Sequence, residues 1–285
     1  MRRLVLLSAL PLALGCARGE RIVVGAKNFT EQRILGELLA QTVEAAGLRA
    51  ERRLDLGGTF VCDTALRAGQ IDAYVEYTGT ALTAILKERP AADPAAVLAR
   101  VREAYAAAGL AWTAPLGFAN TFALVVRGEQ AKGAGLRTIS DIVPRAPRWR
   151  AAFGYEFTER ADGYPGLART YGLQFKETRI MDLGLLYRAL VDNQVDIVAG
   201  NSTDGLIGQL DLAVLEDDRG YFPPYDAAPV VRQAVLDRHP ALAGALERLG
   251  GKLTAETMRR LNHAVDGQHR DPPTVVREFR AAAGL

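Results

Sequence analysis

Arg21-Ile22-Val23-Val24-Gly25-Ala26-Lys27-Asn28-Phe29-Thr30-Glu31 sets the pattern on which the fold turns. The β-branched run through Lys27 predicts a strand. Asn28 and Glu31 then have capping-box spacing, and Ile34, Leu35, Leu38, Leu39 and Val43 recur at helical period until Gly47. Further strands are predicted at 52–56 and 71–75, running into helices that open at Gly57-Gly58-Thr59 and Gly79-Thr80. Asp93-Pro94 opens an alanine-rich helix over 95–107. The pattern restarts with a strand at 121–127 and a short helix capped at Ser140-Asp141. Strands at 152–157, 175–181, 195–199 and 212–215 then alternate with helices at 165–171, 184–192 and 205–210. After Pro223-Pro224, Val230-Val231-Arg232 gives one last strand, and 233–285 reads as helical.

Alternating strands and helices signal an α/β fold with mostly parallel sheets. The first block has no natural end of its own, and the last strand has no sheet near it in sequence. The simplest closure joins residues 21–117 to 225–285 as one lobe and inserts 118–224 as the other. Each lobe is then a mixed sheet flanked by helices, and two crossovers form a hinge over a cleft, where ligands of open α/β sheets gather. The length of 285 residues suits two lobes, and 49% hydrophobic with 24% charged residues excludes disorder.

Residues 1–16 read as a secretory leader: Arg2-Arg3, an apolar run from Leu4 to Leu14, then Gly15-Cys16. The apolar run is shorter than the ~18 residues a membrane span needs. Leu12-Ala13-Leu14-Gly15-Cys16 resembles the bacterial lipoprotein box, in which the cysteine carries the lipid, although Ala13 stands where that box prefers leucine; ordinary signal cleavage is the alternative. Removing Arg2 and Arg3 lowers Lys+Arg from 35 to 33, against 33 acids, so the mature chain is neutral and has no footprint for nucleic acid. Cys62 is then the only other cysteine, which leaves no internal disulfide and suits a buried small hydrophobe.

Six motifs follow one another along the chain: Lys27-Asn28-Phe29-Thr30-Glu31-Gln32, Asp72 to Thr80 (DAYVEYTGT), Gly117 to Leu124 (GFANTFAL), Arg160-Ala161-Asp162-Gly163, Ser202-Thr203-Asp204-Gly205, and Glu216-Asp217-Asp218-Arg219 through Phe222-Pro223-Pro224-Tyr225. Together they resemble the substrate-binding proteins of osmoprotectant ABC importers, which bind glycine betaine, choline or carnitine. The resemblance implies a type II-like periplasmic-binding-protein fold, a small quaternary amine as ligand, importer permease subunits as partners, and a monomer outside the cytoplasm that meets the membrane only through a lipid on Cys16. A quaternary ammonium donates no hydrogen bond, so ring faces must recognise it, while a carboxylate needs donors such as arginine. Carried over, the ring candidates are Tyr77 or Tyr74, Phe122 and Tyr225. Arg160 is the carboxylate partner, with Asn120, Thr121, Asn201 and Thr203 nearby. Tyr74 and Tyr77 are three apart, so at most one faces the cleft. Phe122 stands where the family usually has tyrosine, and Asn201 where many members have another ring. A shortened cage favours weaker betaine binding, or a ligand with more polar groups such as carnitine, a choline derivative or ergothioneine.

Five further tyrosines (Tyr105, Tyr155, Tyr164, Tyr171 and Tyr187) are expected to pack under helices. No nucleophile–base pair, metal cluster or phosphate loop stands out, so neither an enzyme nor a cofactor is expected. An amino-acid binder or a sensory lobe of a larger assembly are the rival readings.

Overall fold

A computed structural model describes residues 21–285; Cys16 and the rest of the leader lie outside the described residues. Its ten strands are β1 (Arg21–Gly25), β2 (Arg49–Arg53), β3 (Ala73–Tyr77), β4 (Leu110–Trp112), β5 (Phe122–Arg127), β6 (Arg150–Phe153), β7 (Glu177–Ile180), β8 (Ile197–Asn201), β9 (Leu212–Val214) and β10 (Ala227–Arg232). They form two five-stranded sheets, ordered β2-β1-β3-β10-β4 and β7-β6-β8-β5-β9. In the first, β1 lies parallel to β2 and β3, because a helix returns the chain each time. β10, reached only after the chain has built the second sheet, runs antiparallel between β3 and β4. The second sheet repeats this plan, with β6 parallel to β7 and β8, and β5 antiparallel between β8 and β9.

Helices cover both faces of each sheet, so strand alternation sorts side chains between two cores. Ala73, Val75 and Tyr77 face the core made with the helix Thr30–Ala45 and the C-terminal helices. Tyr74 faces the opposite core, with Cys62, Leu66, Tyr105 and Trp112. Burial there pushes the Cys62 thiol up to about 12, so it packs as an inert hydrophobe.

Several boundaries differ from the sequence reading. β2 ends at Arg53, three residues before Leu56, because as an edge strand its extent is set by pairing with β1 alone. β4 has only three residues and carries no alternation long enough to read. The predicted strand at 152–157 stops at Phe153, and after Gly154 the helix Tyr155–Glu159 begins. Thr138, not Ser140, forms a capping box with Asp141. The expected Asn28–Glu31 box does not form: Phe29 occupies the N-cap without a side-chain bond.

Glu31 has a different task. Its buried carboxylate accepts bonds from Tyr77 Oη (2.6 Å) and Asn120 Nδ2 (2.8 Å) on Oε1, and from Thr203 Oγ1 (2.5 Å) and Asn262 Nδ2 (3.2 Å) on Oε2. These donors come from β3, the first crossover, the second lobe and the helix Ala255–Asp266. The crossovers, residues 113–121 and 215–226, are themselves paired by an antiparallel bridge between Ala119 and Asp226. Asn120 N–H donates to the Tyr225 carbonyl at 3.1 Å, and Ala227 N–H to the Phe118 carbonyl at 3.1 Å. Among the described residues, no helix is long and apolar enough to cross a membrane.

All four partners of Glu31 donate, so an amide at this position presents its own donor to two others. Glu31→Gln is therefore expected to destabilise the protein by about 1–3 kcal/mol, the cost of leaving a buried polar group unpaired. Urea unfolding at neutral pH reads this directly, and an unchanged midpoint would exclude the role given to Glu31.

Candidate ligand-binding site

A cavity of about 440 Å³ opens between the two sheets. It lies beyond the carboxyl ends of the parallel strands of both lobes: Lys27 follows β1, Tyr77 ends β3, Gly154 to Arg160 follow β6, and Asn201 ends β8. Asn120 and Tyr225 from the crossovers, and Phe122 from the start of β5, also line it.

Tyr77, Phe122 and Tyr225 therefore converge on one space from three different elements. The Phe122 and Tyr225 ring centroids are 5.9 Å apart, edge to face. Gly79 permits this arrangement, since a Cβ there would lie 2.6 Å from the Pro224 carbonyl oxygen and 2.8 Å from the Tyr225 ring. Tyr74 does not join them. It is fully buried in the opposite core, where its hydroxyl donates to Glu76, because one step along a strand reverses the face.

Arg160 lies in extended backbone at the end of the helix Tyr155–Glu159, which places Asp162, two residues on, beside it. Nε and Nη2 donate to the two Asp162 oxygens at 2.9 and 2.5 Å, and Nη2 reaches Thr80 Oγ1 across the cleft at 3.1 Å. The guanidinium sits 5.0 Å over the Phe122 ring. Asp162 Oδ2 also accepts the Tyr225 hydroxyl at 2.7 Å, so one carboxylate positions both a ring and the arginine. Burial works against both charges, but the paired bonds overcome it: Arg160 is held above its ordinary pKa and Asp162 below. On the other side, Lys27 Nζ donates to Glu76 at 2.6 Å and Thr59 at 3.0 Å and lies 5.2 Å over the Tyr77 ring.

Asn201 lines the cavity directly across the β5–β8 ladder from Phe122, and its backbone N–H donates to Asp204 at 2.9 Å. Thr203 and Thr121 do not reach the cavity: Thr203 is committed to Glu31, and the Thr121 hydroxyl donates to the Phe122 carbonyl. Tyr155, expected under a helix, is 67% exposed on the cavity rim. The sequence reading gives no role to Asp162, although it stands in a quoted motif, and none to Glu156. Asp162 was legible from its spacing to Arg160, whereas Glu156 acts across the cleft. Its carboxylate accepts the Thr59 N–H at 2.5 Å, capping a helix of the other lobe, and the Thr59 hydroxyl at 3.1 Å.

Removing one partner of a buried pair leaves the other charge uncompensated. Asp162→Asn is thus expected to cost about 3–5 kcal/mol at neutral pH. Because the folded protein holds Asp162 below its unfolded pKa, that stability is present above the unfolded value and is lost as pH falls through the folded one. The gap between wild type and Asp162→Asn in urea unfolding should therefore shrink in acid; a pH-independent gap would contradict the assignment.

The model of the substrate-binding domain of ABC-type glycine betaine transport systems matches residues 20–282. The chain is 36% identical to the carnitine transport binding protein OpuCC of Listeria monocytogenes, over 93% of this chain and 88% of that one. It is 37% identical to a glycine-betaine-binding protein of Pseudomonas aeruginosa, over 98% and 93% of the two chains. A crystal structure described as a glycine betaine/carnitine/choline ABC transporter superposes with a TM-score of 0.77 at 33% identity, covering 92% of this chain and 98% of the other. The two-lobed architecture, the interlobe cavity and a match spanning nearly every described residue agree: the chain belongs to the family of substrate-binding domains of ABC-type glycine betaine transport systems.

Proposed function

We propose that this protein captures a quaternary-ammonium compound of the glycine betaine, choline and carnitine class outside the cytoplasm and presents it to an ABC permease. The observation that carries the ligand class is the convergence of Tyr77, Phe122 and Tyr225 on one cavity that also receives Arg160. Ring faces attract a cation that cannot donate hydrogen bonds, each contributing about 0.5–2 kcal/mol. Arg160, with Nε and Nη2 engaged by Asp162, turns its remaining nitrogen, Nη1, towards a looser partner, Glu156 at 3.7 Å. That nitrogen is the donor for a ligand carboxylate. Asn201, opposite Phe122 in place of a further ring, favours a second reading in which the ligand carries extra polar groups, as ergothioneine does. The protein works as a monomer, tethered by lipid on Cys16.

Calorimetry with glycine betaine, carnitine and choline tests the site. Arg160→Gln combined with Asp162→Asn removes both charges, so neither is left buried alone. This double variant should lose about 2 kcal/mol or more of affinity for the two carboxylate ligands, by the cost of truncating a buried charged contact. Choline, which has no carboxylate, should lose much less; equal losses for all three would remove Arg160 from the carboxylate site. For the tether, Cys16→Ser should release the protein or leave it unprocessed, since stable anchoring depends on the acyl chains. Membrane retention of that variant, with no lipid label on wild type, would exclude the anchor.

A further inference from the structure

The cavity is larger than its ring-lined end requires. Glycine betaine has few heavy atoms, yet about 440 Å³ falls in the range of pockets that hold drug-sized ligands. The lobes already touch across the cavity. Glu156 of the second lobe bonds Thr59 of the first, and Arg160 bonds Thr80. At Gly58 the approach is so close that a Cβ would lie 2.2 Å from Glu156 Oε1.

The surplus space has its own chemistry. Eight large apolar side chains are strongly exposed among the described residues: Phe60, Val61, Tyr155, Ile180, Leu183, Leu185, Val191 and Val214. Four of them, Phe60 and Val61 from the first lobe and Tyr155 and Leu183 from the second, open on this one cavity. Met181 continues the surface. Phe60 and Val61 stand on the first turn of the helix Thr59–Arg67, and Leu183 lies against Gly154, which follows β6. The cavity thus joins the rings and Arg160 to a solvent-facing apolar chamber, continuous with one another. Solvent-facing apolar groups gathered in one concavity mark a binding surface.

The geometry points to a ligand with a third part: a quaternary-ammonium zwitterion bearing an apolar arm, such as the short-chain acyl ester of carnitine. This rests on the ring-lined end receiving the ammonium, and it adds that the apolar chamber, lined by Phe60 and Leu183, selects for the arm. Calorimetry with glycine betaine, carnitine and O-hexanoylcarnitine, below the concentration at which the ester self-associates, decides it. Hexanoylcarnitine should bind wild type at least tenfold more tightly than carnitine. In a Phe60→Ser, Leu183→Ser double variant that preference should fall toward one; both side chains are exposed, so folding is not at stake, and a thermal melt confirms it. Carnitine binding with no gain from the acyl chain, or a gain that survives in the variant, overturns the arm chamber alone. Binding of none of the three ligands overturns the ring-lined site and the chamber with it.

Discussion

One buried carboxylate ties the first lobe to the second at the hinge. Glu31 lies on the first helix, yet its four donors come from a strand end, a crossover, the second lobe and a C-terminal helix. Burial pushes its pKa up, and the donors pull it back without cancelling that effect. No cation faces it in this set of bonds, so the anion rests on oriented dipoles alone. Such networks are stable only when complete. Glu31 therefore links the hinge to both lobes in a way that apolar packing cannot, because packing lacks direction.

The site follows the same logic with charges of both signs. Arg160 and Asp162 are expensive to bury singly and tolerable together. Their pairing also does geometric work, since Asp162 receives the Tyr225 hydroxyl while Arg160 lies over Phe122. Lys27, Glu76 and Tyr77 repeat the arrangement on the first lobe. Each lobe thus brings a ring packed against a neighbouring ion pair, and a ring held in place lowers the ordering cost of binding.

Much of this was legible in the sequence, where the signal was periodic. The strand–helix alternation showed the two α/β units, and the motifs named Tyr77, Asn120, Phe122, Arg160, Asn201 and Tyr225, all of which line one cavity. Tyr74 was separable in principle: once β3 runs through Tyr77, alternation places Tyr74 on the other face. What stayed hidden depends on contacts far apart in sequence. Glu31 looked like a helix cap because its spacing to Asn28 was right, and only the folded chain brings Thr203 and Asn262 to it. Glu156 is 97 residues from Thr59, and nothing local marks the pair. β4 and the end of β2 were missed because edge strands take their length from a neighbour rather than from their own pattern.

The bridge between Ala119 and Asp226 has a mechanical meaning. Two connections stitched together antiparallel flex as one leaf, so the lobes share a common axis instead of sliding past each other. Phe122 and Tyr225 stand beside that axis. Glu156 and Thr59, which meet across the cleft, lie on segments outside these two connections. A small rotation then leaves the pivot side almost still while the outer lips sweep through the largest arc. Rings beside the fulcrum keep their spacing through such a swing, while contacts farther out, such as that of Glu156 with Thr59, open or close with it.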